Sequence, residues 1–330
     1  MFGNKEGWAL SVAIVALVGL MLWKFDMLTA PAMAAPSGQF RNLRAPIALP
    51  VKPADALPGV MTEDLDAGDL YWKAIKVYQA SPETYDKAQP RYTTRLDKLP
   101  AIDLLVEATA ANRATIFMRK PATLVNYGYP GPEMEALYNL GRVANSIAFS
   151  SQADGDEART KKYAYACFSL GAKLYDERLI HGELDAGIKL MQTAGDSLAT
   201  LARKQGNEAE AAKWKQFTDA TSRYYTTEIQ ELVRKVLGAG AIDLRKHSGD
   251  VFELALHNPD RMWQVEALLK IGRYKYEMGG TLGDQIWANR LLHEPARHGL
   301  PDFTNHKDPA VARAATIARD LTVEELRMIR

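Results

Sequence analysis

The sequence predicts an all-α protein in which antiparallel helical hairpins form an α-solenoid, preceded by a single transmembrane helix. Three observations lead there. Gly7 to Trp23, GWALSVAIVALVGLMLW, is an unbroken apolar run. From Thr62 onward apolar residues recur at the helical period between recognisable start and stop signals. No comparable run of alternating strand pattern accompanies them. The expected organisation is an anchor over 1–28, a Pro/Ala-rich linker over 29–60, a helical domain over 61–247, and a C-terminal helical part over 248–330 packed on it.

At a rise of about 1.5 Å per residue the apolar run spans roughly 25 Å, slightly short of a hydrocarbon core about 30 Å thick. Lys24 can snorkel, Phe25, Met27 and Leu28 extend the apolar length, and Trp8 and Trp23 mark the two ends as interfacial aromatics do. The competing reading is a cleaved signal peptide, because Ala32-Met33-Ala34 has the small-x-small form of a cleavage site. Against it, the run exceeds a usual signal core, and Lys24 and Asp26 intervene before the site. The expectation is a single-pass protein contacting the bilayer through 7–23. Its helical domain lies outside the cytoplasm, periplasmic or at the cell surface; the alternative is secretion after cleavage near Ala34.

Thr29 to Gly59 holds six of the sixteen prolines, at 31, 36, 46, 50, 53 and 58. Proline fixes φ and removes a backbone donor, so this stretch is expected to be extended and semi-rigid. Lys plus Arg total 41 against 40 for Asp plus Glu, a net charge of +1. No global field draws in a polyanion, and no nucleic-acid partner is expected. Cys167 is the single cysteine. It rules out an intramolecular disulfide and a cysteine-based structural zinc site, and its place on an apolar helical stripe reads as a small buried thiol.

Helix starts are expected at Thr62 before Glu63 and Asp64, and at Pro100 and Pro132. Asn207 with Glu210 and Thr322 with Glu325 have capping-box spacing, and Asn258-Pro259 and Asp308-Pro309 each put a cap before a first-turn proline. Tyr163, Cys167, Leu170 and Leu174 form one stripe, and Leu184, Ile188, Met191, Gly195, Leu198 and Ala202 the next. Trp214, Phe217, Thr221 and Tyr225 continue toward Ile229, Leu232 and Val236, and Met262, Val265, Leu269, Gly272 and Tyr276 mark a further helix. Small residues at Ala108, Ala111, Gly141, Ala144 and Ala148 predict close helix approach. His181-Gly182 and Gln205-Gly206 predict turns between antiparallel helices.

Within Leu198 to Ala211, LATLARKQGNEAEA, residues Leu198, Ala199, Ala202, Gly206 and Ala211 match the small-residue and turn positions of a tetratricopeptide (TPR) repeat, and Leu140-Gly141, Leu170-Gly171 and Ile271-Gly272 echo its Leu-Gly pair. The segment over about 130–280 therefore resembles TPR-like helical-repeat proteins. Asp308-Pro309-Ala310-Val311-Ala312-Arg313-Ala314-Ala315 is similar to the start of a HEAT-type repeat. The resemblance implies a scaffold or binding architecture.

No catalytic, cofactor or metal-ligating residue is singled out. His293, His298 and His306 lie near Glu294 and Asp302, but His293 to His298 reads HExxxH with Pro295 inside it, which breaks the helix a zincin needs. No Walker loop, Rossmann fingerprint or Gly-x-Ser-x-Gly elbow occurs. Tyr127 and Tyr129, in Tyr127-Gly128-Tyr129-Pro130-Gly131-Pro132, are candidate partner contacts, with the cover of a hairpin end as the other reading. The expected function is a membrane-anchored scaffold or adaptor that binds a protein partner or itself at the cell envelope. The alternative is an envelope lyase or hydrolase on a helical toroid, with carboxylates or histidines converging in a pocket; a deep pocket with buried, perturbed carboxylates is the feature that separates the two.

Overall fold

The computed structural model describes residues 52–57, 59–86, 99–124, 131–226, 256, 261–277 and 282–328. The anchor at 7–23 with Trp8 and Trp23, the loop with Tyr127 and Tyr129, the Asn258-Pro259 start and the 229–236 continuation lie outside the described residues. Among those described, no helix is long and apolar enough to cross a membrane.

Among the described residues the fold is all-α apart from one short strand pair. In order it forms α1 (Pro53–Ala56), β1 (Glu63–Asp66), α2 (Gly68–Ala80), α3 (Pro82–Asp86), α4 (Pro100–Glu107), β2 (Ala111–Arg113), α5 (Pro132–Ala153), α6 (Glu157–Glu177), α7 (His181–Lys204), α8 (Glu208–Tyr224), α9 (Arg261–Glu277), α10 (Leu282–His293), α11 (Pro309–Asp320) and α12 (Val323–Met328). β1 and β2 pair in parallel. The proline-rich stretch ends in structure: Pro53 opens α1, and Ala56 and Leu57 are buried in the core.

Helices α5 to α8 are the centre of the molecule. Each packs on the next, α5 also reaches α7, and the three connections are three residues each. The stripes expected from sequence face inward: Tyr163, Cys167, Leu170 and Leu174 are buried on α6, and Leu184, Ile188, Met191 and Leu198 on α7. Phe168 meets Trp214 and Phe217 of α8 at ring-centroid distances of 5.4 and 5.3 Å, locking α8 to α6. α9 and α11 pack together in the C-terminal part, where Gly272 lies against Ala318, and one contiguous core runs from Ala56 to Leu326.

Helices α6 and α7 cross backbone against backbone. A Cβ on Gly171 would stand 2.7 Å from the Gly187 carbonyl oxygen, and one on Gly187 would stand 2.7 Å from that of Gly171. Only glycine at both positions allows this crossing, and Gly141, one of the patterned small residues, makes room for the Leu190 side chain.

Five of the expected helix starts are found. Pro100 and Pro132 open α4 and α5. Asn207 accepts from the Glu210 N–H while its amide donates to the Glu210 carboxylate, and Thr322 and Glu325 cap each other reciprocally. Asp308 caps α11 through the Ala310 N–H.

Three local expectations change. Thr62 does not start a helix; Glu63 to Asp66 extend as β1, and Asp66 turns the chain into α2 by accepting from the N–H groups of Gly68 and Thr115. Burial raises the Asp66 pKa, but these bonds and the Arg119 charge outweigh it and hold the carboxyl at about 2. His181-Gly182 is the first turn of α7, and the connection is Arg178 to Ile180. Tyr276 closes its stripe at the surface, 37% exposed, its hydroxyl donating to the Leu321 carbonyl.

Candidate functional site

The polar centre of the molecule grows from one face of α6, where Ser169, Lys173 and Glu177 follow each other four residues apart and so stack along the helix. All three are buried: Ser169 is 0%, Lys173 1% and Glu177 7% exposed. Each is held by backbone that the helix faces.

Lys173 Nζ donates to the Ala108 carbonyl at 2.6 Å and to Ser169 Oγ at 2.7 Å, and Ser169 Oγ donates onward to the Thr109 carbonyl at 3.1 Å. The ammonium lies 5.7 Å from the ring centroid of buried Tyr71. Ala108 is the C-cap residue of α4, a place where a cation is favoured. Among the described residues no carboxylate pairs with Lys173, and burial pushes its pKa down to about 7.

Glu177 does the converse at a helical start. Its Oε2 accepts the N–H groups of Ile116 and Phe117 at 2.9 and 3.1 Å, and its Oε1 that of Met118 at 2.8 Å. These donors open the 3-10 turn Phe117–Arg119, whose first N–H groups have no partner within the turn. Burial still raises the Glu177 pKa, with the three bonds opposing it.

Beside Glu177 stands Glu183, fully buried at the third residue of α7. Its Oε2 accepts from the Leu179 N–H at 2.6 Å, while its Oε1 meets no donor. Burial and then the Glu177 charge raise its pKa well above the usual range. Both effects favour the uncharged form of Glu183, which lessens the cost of two like charges buried side by side.

Arg261, from α9, donates to the last carbonyls of α6 at Asp176 and Glu177, 3.1 and 2.9 Å away. Glu266 of the same helix accepts from the His181 N–H at 2.9 Å and pairs with Lys270. Between them the turn carries Arg178 at φ +21, the single non-glycine residue with positive φ among the described residues. Side chains from α7 and α9 thus hold one strained connection.

A cleft of about 220 Å³ opens beside this cluster. Asn112, Thr115 and Met118 line it from the β2 side, Lys173 and Glu177 from α6, and Arg261 from α9. It is smaller than a drug-sized site and suits a molecule of a few heavy atoms.

The residues weighed from sequence lie elsewhere. His293 ends α10, Pro295 to His298 form a 3-10 turn, and His306 Nδ1 accepts from the Asp308 N–H as part of a loop. Among the described residues no group of three His, Cys, Asp or Glu is placed to hold a metal ion. Cys167 is buried, with its thiol pKa raised by burial and its Sγ 3.5 Å from the Leu190 carbonyl oxygen. Lys173, Glu177 and Glu183 escape sequence reading because a Lys and a Glu four residues apart on a helix have the spacing of a solvated ion pair. The available signal was that Lys173 follows Tyr163 to Ala172, an unbroken run of apolar or small residues.

Compared with known proteins, the chain is matched by no family model, no curated protein and no solved structure.

Proposed function

We propose that this chain is a membrane-anchored helical scaffold: residues 7–23 hold it in the bilayer, and α5 to α8, arranged as a TPR-like solenoid, bind another protein of the cell envelope. The observation that carries the reading is a stripe on α5. Tyr138, Arg142, Asn145 and Phe149 follow one another at helical spacing, and Phe149 is 60% exposed although the rest of the helix is well packed. The Arg142 guanidinium lies 5.8 Å from the Tyr138 ring centroid. Beside them Lys189 of α7 covers the Tyr225 ring at 5.7 Å. Aromatic rings and arginine on rigid helices are the residue types that dominate protein interfaces. The three-residue connections and consecutive packing support the solenoid, because they fix this face without flexible loops.

The test is isolation of the full-length chain from membranes in several mild detergents. A stoichiometric partner or a defined oligomer is expected, and Phe149→Glu combined with Arg142→Glu abolishes it without lowering the melting temperature. A solitary monomer in every detergent defeats the proposal. Carbonate-resistant membrane association, lost on deleting residues 1–60, tests the anchor separately.

A further inference from the structure

We propose that Glu177 and Glu183 form a proton-operated latch: a single proton shared between them keeps the α6–α7 connection closed against α9, and its loss lets Arg178 to Ile180 open. This goes beyond the scaffold reading and does not depend on it, since the latch lies at the end of the hairpin and the contact stripe on α5.

Four carboxyl oxygens meet at this point, and four backbone N–H groups reach them: Ile116 and Phe117 at Glu177 Oε2, Met118 at Glu177 Oε1, and Leu179 at Glu183 Oε2. Glu183 Oε1 receives none, although the residue is fully buried and its side chain is in hydrogen-bonding contact with that of Glu177. Two ionised carboxylates are costly side by side in a dry site, whereas a proton on Oε1 donates to Glu177 and leaves no polar atom of the pair unsatisfied. The surrounding charges are committed elsewhere. α9 presents Arg261, whose field reaches Glu183 but whose guanidinium is bonded to the Asp176 and Glu177 carbonyls, and Glu266, paired with Lys270. On α6 stand Lys173, bonded to neutral acceptors, and Asp176, which faces Arg178 and Arg261. Arg178 itself donates to the Tyr175 carbonyl. α7 adds His181 at its start and Asp185, which pairs with Lys189, and the 116–118 segment leads to Arg119, which pairs with Asp66 and Asp69. Among the described residues no lysine or arginine pairs with either carboxyl, so the proton is what holds them together.

Glu177 is fixed by three N–H groups and Glu183 by one, so when the shared proton leaves, Glu183 is the member that yields. Its departure frees the Leu179 N–H. The turn it releases carries Arg178 at φ +21, a strained conformation that relaxes once the tether is gone. Three bonds tie α9 to this same end of the hairpin: Arg261 donates to the Asp176 and Glu177 carbonyls, and Glu266 accepts from the His181 N–H. Opening the connection therefore loosens α9 from α6 and α7. In proton terms, Glu183 carries one proton in the closed form and releases it to water in the open one.

The test is hydrogen exchange read by mass spectrometry on the full-length chain in mild detergent, with each rate corrected for the intrinsic pH dependence of amide exchange. Between about pH 5 and about pH 7 the protection of a peptide covering 178–181 should fall about tenfold per pH unit, because one proton leaves on opening. Lys173 adds its own contribution, of opposite sign, only above about 7. A peptide covering 116–118 should keep its protection over the same range; an equal fall there makes the opening global and overturns the latch. Glu183→Gln retains an acceptor for Leu179 and a donor for Glu177 but has no proton to lose, so its profile should be flat. His181→Asn should keep the wild-type slope, which separates the carboxyl pair from an imidazole. A flat wild-type profile overturns the proposal, as does a Glu183→Gln profile as steep as the wild type or a slope that vanishes with His181→Asn. At neutral pH the wild-type infrared spectrum should also contain a carboxylic-acid carbonyl band that Glu183→Gln lacks, and a wild-type spectrum without that band overturns the shared proton.

Discussion

Two places along the α6–α7 hairpin are held together by opposite means. At its middle, Gly171 and Gly187 bring the two backbones into contact with no side chain between them. At its end, where the chain turns through Arg178 to Ile180, the interior contains Glu177, Glu183 and, one turn earlier, Lys173. The first contact depends on shape alone and is indifferent to pH. The second depends on where protons reside, because each buried group departs from its ordinary titration range. A single hairpin can therefore be rigid at its centre and chemically responsive at its turn.

The most damaging change should be at the crossing. Gly187→Leu drives a side chain into the Gly171 carbonyl, and with backbone as the obstacle a loss of about 3 kcal/mol or more is expected in denaturant unfolding. It should be the same at every pH, and a strong pH dependence would break the contrast between the two places.

Next comes Glu177→Gln. One amide oxygen cannot replace a carboxylate shared by three N–H groups, and the amide nitrogen would face donors, so a loss of about 2 kcal/mol is expected. Urea titration of the variant checks it; wild-type stability would show that the 116–118 segment does not need this cap.

Two further changes act through pH. Lys173 titrates at about 7 in the folded protein against 10.5 as a free side chain, so the folded state binds fewer protons across that window. Wild-type stability should therefore gain as pH rises from about 7 toward 10.5. Lys173→Met should remove that gain, as unfolding midpoints at several pH values will show. Glu183 has the opposite sign. Its folded pKa is raised above 4.5, so its contribution is complete below that pH and is lost as pH rises through the folded value. Glu183→Gln keeps the acceptor for Leu179 and a donor for Glu177, so it should change stability by less than about 0.5 kcal/mol at acid pH and flatten the decline above it.

The smallest effect on folding is expected at the surface. Phe149→Ser alters a side chain that is 60% exposed and should shift stability by no more than about 0.5 kcal/mol, while weakening recovery of the partner in detergent pull-downs. A large loss of stability instead would make Phe149 a packing residue and remove the basis for the contact stripe.

Much of the helical framework was legible before any coordinates. Caps such as Asn207 with Glu210 and Thr322 with Glu325 are settled within four residues, and the buried stripes of α6 and α7 follow from the helical period. The failures are where long-range contact overrides local preference. Glu63 and Asp64 carry helix-start chemistry, yet the Asp66 side chain is recruited by Thr115, and β1 extends to meet β2. The turn before α7 was placed two residues late, because a histidine followed by glycine has turn chemistry while the connection is fixed by Glu183 and Glu266.

The candidate site was the least legible part, and Lys173 and Glu177 show why. By themselves they are an ordinary i, i+4 pair. Their character comes from Ala108 and Ile116 to Met118, roughly sixty residues away in the chain, and Arg261 lies more than eighty residues beyond. Sequence by itself determined the all-α class, the cap positions and the inward stripes, because those depend on groups a few residues apart. Only the tertiary structure decided which charged residues lost their water and which backbone groups replaced it, because desolvation is a property of everything that packs around a side chain.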